Sequence, residues 1–194
     1  MMVSANQLTV LRMAFVPAFV LLVVYDYLLG ALMVFVLAGV TDLLDGFIAR
    51  RYGQKTSIGA FLDPAADKLL LVSSFVLLSQ AKASLVVTIP LWLTITVIGR
   101  DVLLVTSTLI INLTLGRHLF RPSIYGKATT FLQLSTVFAV LVMNAFQTPS
   151  PVLAPLLYGS FAMTVVSGLH YLAKGIKLVG DGIETDEAGP GSAP

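Results

Sequence analysis

Apolar residues fill most of this chain in long blocks, and the polar positions between them fall in short clusters. A helix needs about 20 predominantly apolar residues to cross a bilayer. On that basis the pattern predicts six membrane-spanning helices, at about 8–27, 29–50, 58–80, 85–115, 123–146 and 152–173. The breaks carry turn and charge signals: Tyr25-Asp26-Tyr27, Arg51-Tyr52-Gly53-Gln54-Lys55, Gln80-Ala81-Lys82, Gly116 to Pro122, and Gln147-Thr148-Pro149-Ser150-Pro151. The fourth block is longer than a span requires and is expected to tilt or protrude. The first apolar run ends at Tyr25-Asp26-Tyr27 without a small-residue cleavage site, so it is read as a retained span. Residues 180–194, acidic and rich in Gly, Ser and Pro, are expected to form a disordered tail behind a single membrane domain, 1–179. The predicted fold class is all-α, polytopic, with six transmembrane helices and no internal repeat.

Composition agrees with this pattern. Of the 194 residues 57% are hydrophobic and 11% charged, against about a quarter charged in soluble domains. The basic residues are few and sit at predicted helix ends, which argues against nucleic-acid binding. Cysteine is absent, which removes disulfides, thiolate metal sites and cysteine nucleophiles. With the N-terminus inside, Arg12, Arg50, Arg51, Lys55, Arg117, Arg121, Lys127, Lys174 and Lys177 all face the cytoplasm, while the outer loops receive only Lys82. The positive-inside rule therefore predicts both termini in the cytoplasm.

Four aspartates interrupt the apolar blocks. Asp42 and Asp45 are three residues apart on the second predicted helix, and Asp63 and Asp67 are four apart on the third, so each pair shares one helical face. A short cytoplasmic loop would make the two helices antiparallel neighbours. Asp45 and Asp63 would lie at one depth and Asp42 and Asp67 somewhat deeper, roughly 8–15 Å from the loop at about 1.5 Å per residue. Four carboxylates in one cavity cannot all stay ionised without a compensating cation. An all-oxygen ligand set points to Mg²⁺ or Mn²⁺, with two ions suited to phosphoryl displacement. Gly46, Ala49 and Gly59 would let a phosphate-bearing ligand approach the backbone, with Arg50 at the inner end to meet a pyrophosphate. Two other readings of the acids stand beside this one: a proton or sodium pathway, as in an ion-coupled transporter, and structural partners for the intramembrane cations Lys68 and Arg100.

The spacing Asp42-x₂-Asp45-Gly46-x₂-Ala49-Arg50-x₈-Gly59-x₃-Asp63-x₃-Asp67 resembles the signature of the CDP-alcohol phosphotransferases at every fixed position. NQLTVLR (Asn6 to Arg12), FLDPAADK and RPSIYGK are similar to segments of the bacterial phosphatidylglycerophosphate synthases of that family, and the likeness covers about residues 5–175. The resemblance implies a six-helix homodimer in the bacterial inner membrane, with its site facing the cytoplasm and two divalent ions held by Asp42, Asp45, Asp63 and Asp67. It implies attack by an alcohol on the lipid-proximal phosphate of CDP-diacylglycerol, with release of CMP and with Asp67 as general base. Gly46, Ala49, Arg50 and Gly59 take the nucleotide and pyrophosphate by position. Arg117, Arg121 and Lys127, with Arg100 deeper in its span, are candidates to meet an acceptor phosphate such as that of glycerol 3-phosphate; as an alternative, the first three are lipid anchors. GRDVLLV (Gly99 to Val105) and AGVTDLLDGFIARR look more like the cardiolipin synthases of the same superfamily, whose acceptor would be phosphatidylglycerol.

Overall fold

The computed structural model describes the backbone of residues 5–52, 57–82, 84–114 and 124–187, and side chains within 11–43, 66–82, 84–109 and 124–173. Among the described residues there are six helices: α1 (Ala5–Val24), α2 (Leu28–Tyr52), α3 (Ser57–Leu78), α4 (Leu91–Thr114), α5 (Ile124–Ala145) and α6 (Leu153–Glu187). There is no strand among the described residues. Among the described residues three helices contain a segment long and apolar enough to cross a membrane, at Leu91–Leu109, Ile124–Ala145 and Leu153–Ala173, and shorter apolar stretches occupy Leu11–Val24 and Leu28–Leu43.

Two boundaries depart from the hydropathy pattern. The fourth helix starts at Leu91 and not near residue 85, because Pro90 lacks the N–H to continue a helix inward but has the carbonyl to start one. That carbonyl accepts from Leu93 N at 3.0 Å and Thr94 N at 3.3 Å. The preceding residues run over the bundle, tied by Ile89 N to Leu78 O and by Asn144, whose side-chain amide both donates to and accepts from the Val87 backbone. The sixth helix continues to Glu187, through residues 180–187 that the composition assigns to the tail. No proline interrupts the chain between Pro155 and Pro190, so the composition lowers helical stability there without forbidding a helix.

The turns at one end of the bundle are closed by the same device. Asp26 (φ 63°) follows α1 and Gln147 (φ 54°) follows α5, each in the left-handed conformation. Tyr27 N then reaches back to Leu22 O at 2.8 Å and Thr148 N to Met143 O at 3.0 Å, which satisfies carbonyls the helix ends would leave open. Lys82 adds two more bonds, to Val23 O and Val24 O, and Ser84 donates to Asp26.

α1 packs against α2 and α3, α5 against α6, α2 and α3, and α4 against α6. Each buried stripe has helical periodicity. On α1 it runs through Val23, Phe19 and Arg12; on α2 through Leu28, Ala31, Phe35 and Ala38; on α3 through Leu78, Phe75, Leu71, Leu70 and Ala66; on α4 through Leu93, Val97, Arg100 and Asp101. Toward the end with the closed turns these stripes form an apolar core that includes Phe19, Phe35, Phe75, Leu93 and Val140. Toward the opposite end the same stripes turn polar, and the interface of α5 and α6 is polar over most of its length. There Thr129 donates to Met163 O, Gln133 to Thr164, and Thr136 pairs with Ser160 at 2.7 Å. Small hydroxyl residues of this kind let helices approach and hydrogen-bond across the contact.

Candidate active site

At the polar end two groups of charged side chains are built from neighbouring residues of α3. Asp67 and Lys68 are consecutive, hence about 100° apart around the helix, and face different partners.

Asp67 faces α1. Arg12 Nη1 lies 3.1 Å from Asp67 Oδ1 and 3.2 Å from Asp42 Oδ1, so one guanidinium joins α2 and α3 through their acids. The arginine side chain is 1% exposed, whereas those of Asp42 and Asp67 are 51% and 45% exposed. Asp42 continues the stripe of Leu28, Ala31, Phe35 and Ala38, and Arg12 that of Val23 and Phe19, so both charges stand where the apolar pattern would place a core residue. The carboxylates open toward the surface while the cation between them is enclosed.

Lys68 faces α4. Its Nζ donates to Asp101 Oδ2 at 2.6 Å, and Arg100 Nη1 donates to Asp101 Oδ1 at 2.9 Å. Arg100 Nη2 donates to Ser167 on α6 at 2.7 Å, and the guanidinium lies 5.8 Å from the centroid of Tyr171. Gly168 lies beside the arginine stem, where a Cβ would meet Arg100 Cγ at 3.6 Å, an ordinary contact. Arg100 and Asp101 are both buried, and Arg100 Nε has no hydrogen-bond partner among the described residues.

Of the candidate residues, the structure brings Asp42 and Asp67 together, and it encloses Arg100. Lys127 is exposed on the first turn of α5. Asp45, Gly46, Ala49 and Arg50 lie on α2 and Gly59 and Asp63 on α3, but their side chains, and Arg117 and Arg121 altogether, lie outside the described residues. Lys68 and Arg100, considered as structural partners for the four acids, are bonded to Asp101. Two residues that the sequence pattern undervalued therefore matter here. Positive-inside counting and the NQLTVLR segment give Arg12 no partner, although its place on an apolar stripe calls for a counter-ion. Asp101 enters the sequence reading within the GRDVLLV segment; its position beside one intramembrane cation is the signal that it has a partner there.

The profile of the CDP-alcohol phosphatidyltransferase family matches residues 2–168. A cardiolipin synthase (CMP-forming) from Homo sapiens is 31% identical over 91% of this chain and 64% of its own length. One from Streptomyces coelicolor is 36% identical over 72% of this chain, again 64% of its own length. The chain thus spans a little under two thirds of those relatives. A CDP-diacylglycerol–glycerol-3-phosphate 3-phosphatidyltransferase from Bacillus subtilis is 31% identical over 87% of this chain and 93% of its own length.

Proposed function

Because the chain belongs to the CDP-alcohol phosphatidyltransferase family, we propose that it is an integral-membrane enzyme that transfers the phosphatidyl group of CDP-diacylglycerol to an alcohol and releases CMP. The observation that carries this reading is the meeting of Asp42 and Asp67, from two helices, as half-exposed carboxylates on one buried guanidinium. All six helices serve as spans: even α1, with 20 residues, is about 30 Å long, the thickness of the hydrocarbon core. The site end faces the cytoplasm of a bacterial cell, where the basic residues concentrate, and the enzyme works as a homodimer, as the family resemblance implies.

The donor set fits a hard divalent cation. Asp42 and Asp67 offer only oxygen, both are partly open to solvent, and Asp45 and Asp63 stand about one turn away on the same helices. These four aspartates would hold two Mg²⁺ or Mn²⁺ ions, whose bound charge would neutralise the phosphates of the nucleotide. Gly46, Ala49, Gly59 and Arg50 would receive the CDP moiety. Asp67 accepts the proton of the acceptor hydroxyl as its oxygen forms a bond to the lipid-proximal phosphorus and the bond from that phosphorus to CMP breaks. The carboxyl then holds the proton until solvent takes it. Acids carried on apolar helices close to the membrane suit a donor that is itself a lipid.

Glycerol 3-phosphate is the proposed acceptor. The near end-to-end correspondence with the Bacillus subtilis relative supports it, and so does the exposed cation of Lys127 on α5, which with Arg117 and Arg121 would meet the acceptor's phosphate. Arg100 would join them through an N–H left over, Nε among them, since Nη1 and Nη2 already each make one bond, to Asp101 and to Ser167. A second reading, with phosphatidylglycerol as acceptor, is favoured by the Arg100-Asp101 pair and by the two cardiolipin synthases. CMP release from CDP-diacylglycerol, measured with each acceptor in turn, separates the two. Mg²⁺ or Mn²⁺ should support turnover and excess EDTA should abolish it. Full turnover in EDTA would remove the ions from the mechanism, and no CMP release with any alcohol acceptor would remove the transferase reading.

A further inference from the structure

Arg12 occupies an unusual position for a residue near the inner end of a span. Its side chain is 1% exposed, and one nitrogen lies within 3.2 Å of carboxylates from two different helices. A guanidinium stays protonated in a protein, so burying it requires an anion alongside. The two acids have no such requirement, being about half exposed. One guanidinium and two carboxylates sum formally to a single negative charge, which is less than the acids alone would present to a cation.

We propose that Arg12 is a positioning residue built into the ion site: a resident counter-ion that fixes Asp42 and Asp67 at one level and sets how tightly a divalent cation binds to them. The inference rests on the reading of these aspartates as divalent-ion ligands. Two effects of Arg12 oppose each other. Holding the acids in place favours ion binding, while a positive charge touching the same oxygens disfavours it. The second effect dominates, because the backbone positions of Asp42 and Asp67 do not depend on the guanidinium. α1, α2 and α3 are joined beyond the site by the apolar cluster that includes Phe19, Phe35, Leu71 and Phe75. Arg12 orients only the carboxylate ends, whereas its charge is felt in full at the same oxygens, and like charge at contact distance weakens cation binding even with the screening of a protein surface. The same residue makes the site tolerable without strict dependence on an ion, since the acids always have a cation beside them.

The test uses the full chain in detergent, with Mn²⁺ as probe, read by electron paramagnetic resonance of free Mn²⁺ and by the thermal unfolding midpoint. Arg12→Gln should bind Mn²⁺ at least about tenfold more tightly than the wild type, the scale of removing one adjacent charge. In chelator its midpoint should fall below that of the wild type, and Mn²⁺ should raise it by more than it raises the wild type. Arg12→Lys keeps the charge and should bind Mn²⁺ within about threefold of the wild type, which a purely steric role of the planar guanidinium would not produce. Equal or weaker Mn²⁺ binding in Arg12→Gln overturns the proposal. Should Arg12→Gln unfold in chelator, purification in Mn²⁺ is expected to recover it; aggregation with and without Mn²⁺ would make Arg12 a structural residue only and overturn the proposal too. Absence of Mn²⁺ binding by the wild type would overturn the ion site itself, a result distinct from failure of the Arg12 variants alone.

Discussion

Among the described residues two arginines are buried at the polar end of this bundle, and their surroundings differ in one decisive respect. Arg100 is enclosed together with its anion: Asp101 has a side chain only 12% exposed and accepts from Arg100 and Lys68 at once, while Ser167 and Tyr171 complete the shell. Arg12 is equally enclosed, but its anions are not, since Asp42 and Asp67 are about half exposed. Counted over the described residues, the first group has its acid bonded by two cations and a formal surplus of positive charge, while the second has acids in surplus that are half open to solvent. A saturated group fixes α3, α4 and α6 relative to one another. An acid-rich, open group can exchange partners, which is what ligand binding and proton transfer need. Asp67 and Lys68 place the two side by side, so the helix carrying the proposed base is also anchored to α4.

The comparison can be broken most forcefully at Asp101. Asp101→Asn leaves Arg100 enclosed without a carboxylate and should cost about 3 kcal/mol of stability, toward the low end for a broken buried pair because Lys68 can still reach water. Asp42→Asn, at a half-exposed acid, should cost under about 1 kcal/mol. Unfolding of both variants in mixed micelles measures the difference, and equal losses would mean that the two groups are not distinct in kind.

Next in size is the effect on chemistry. Asp67→Asn keeps the shape and one carbonyl oxygen but cannot take the acceptor's proton, so kcat for CMP release should fall at least about 10²-fold, while CDP-diacylglycerol binding survives at saturating Mg²⁺. Loss of donor binding together with turnover would reassign Asp67 as chiefly an ion ligand, and turnover near the wild-type rate would move the base elsewhere.

The smallest expected effect sharpens the account of the saturated group. Tyr171→Leu removes the ring beside Arg100 yet leaves its bonds to Asp101 and Ser167, and should cost about 1 kcal/mol. It should leave the Mn²⁺ affinity of the aspartate site unchanged. A changed affinity would show that the two groups are coupled through α3.

Much of this was legible from the residues alone, for reasons particular to each feature. The six helices follow from blocks of apolar residues separated by turn clusters, because backbone polar groups in hydrocarbon must be satisfied within the segment. The register of Asp42 and Asp67 followed from helical period and an antiparallel pair, and Arg12 Nη1 is within 3.2 Å of both. The start of α4 was not legible from hydropathy, since Leu85 to Pro90 is as apolar as a span. Only the Pro90 carbonyl and the Asn144 amide show why those residues run outside any helix. The course of α6 to Glu187 was likewise hidden, because composition weighs helix formers and breakers without saying whether the preceding turns propagate.

Sequence by itself determined the class of the protein, the number of its helices and the residue types of its chemistry, because hydrophobic period and the spacing of charges are properties of one chain segment at a time. Tertiary structure alone decided which charge meets which. Arg12 lies 30 residues before Asp42 and 55 before Asp67 in the chain, and Lys68 lies 33 before Asp101. Nothing local selects those pairs over the alternatives Lys68 with Asp67 or Arg100 with Asp42. The choice falls to helix packing: α1 is set against both α2 and α3, and once it is there its buried cation has to take the acids that those neighbours present.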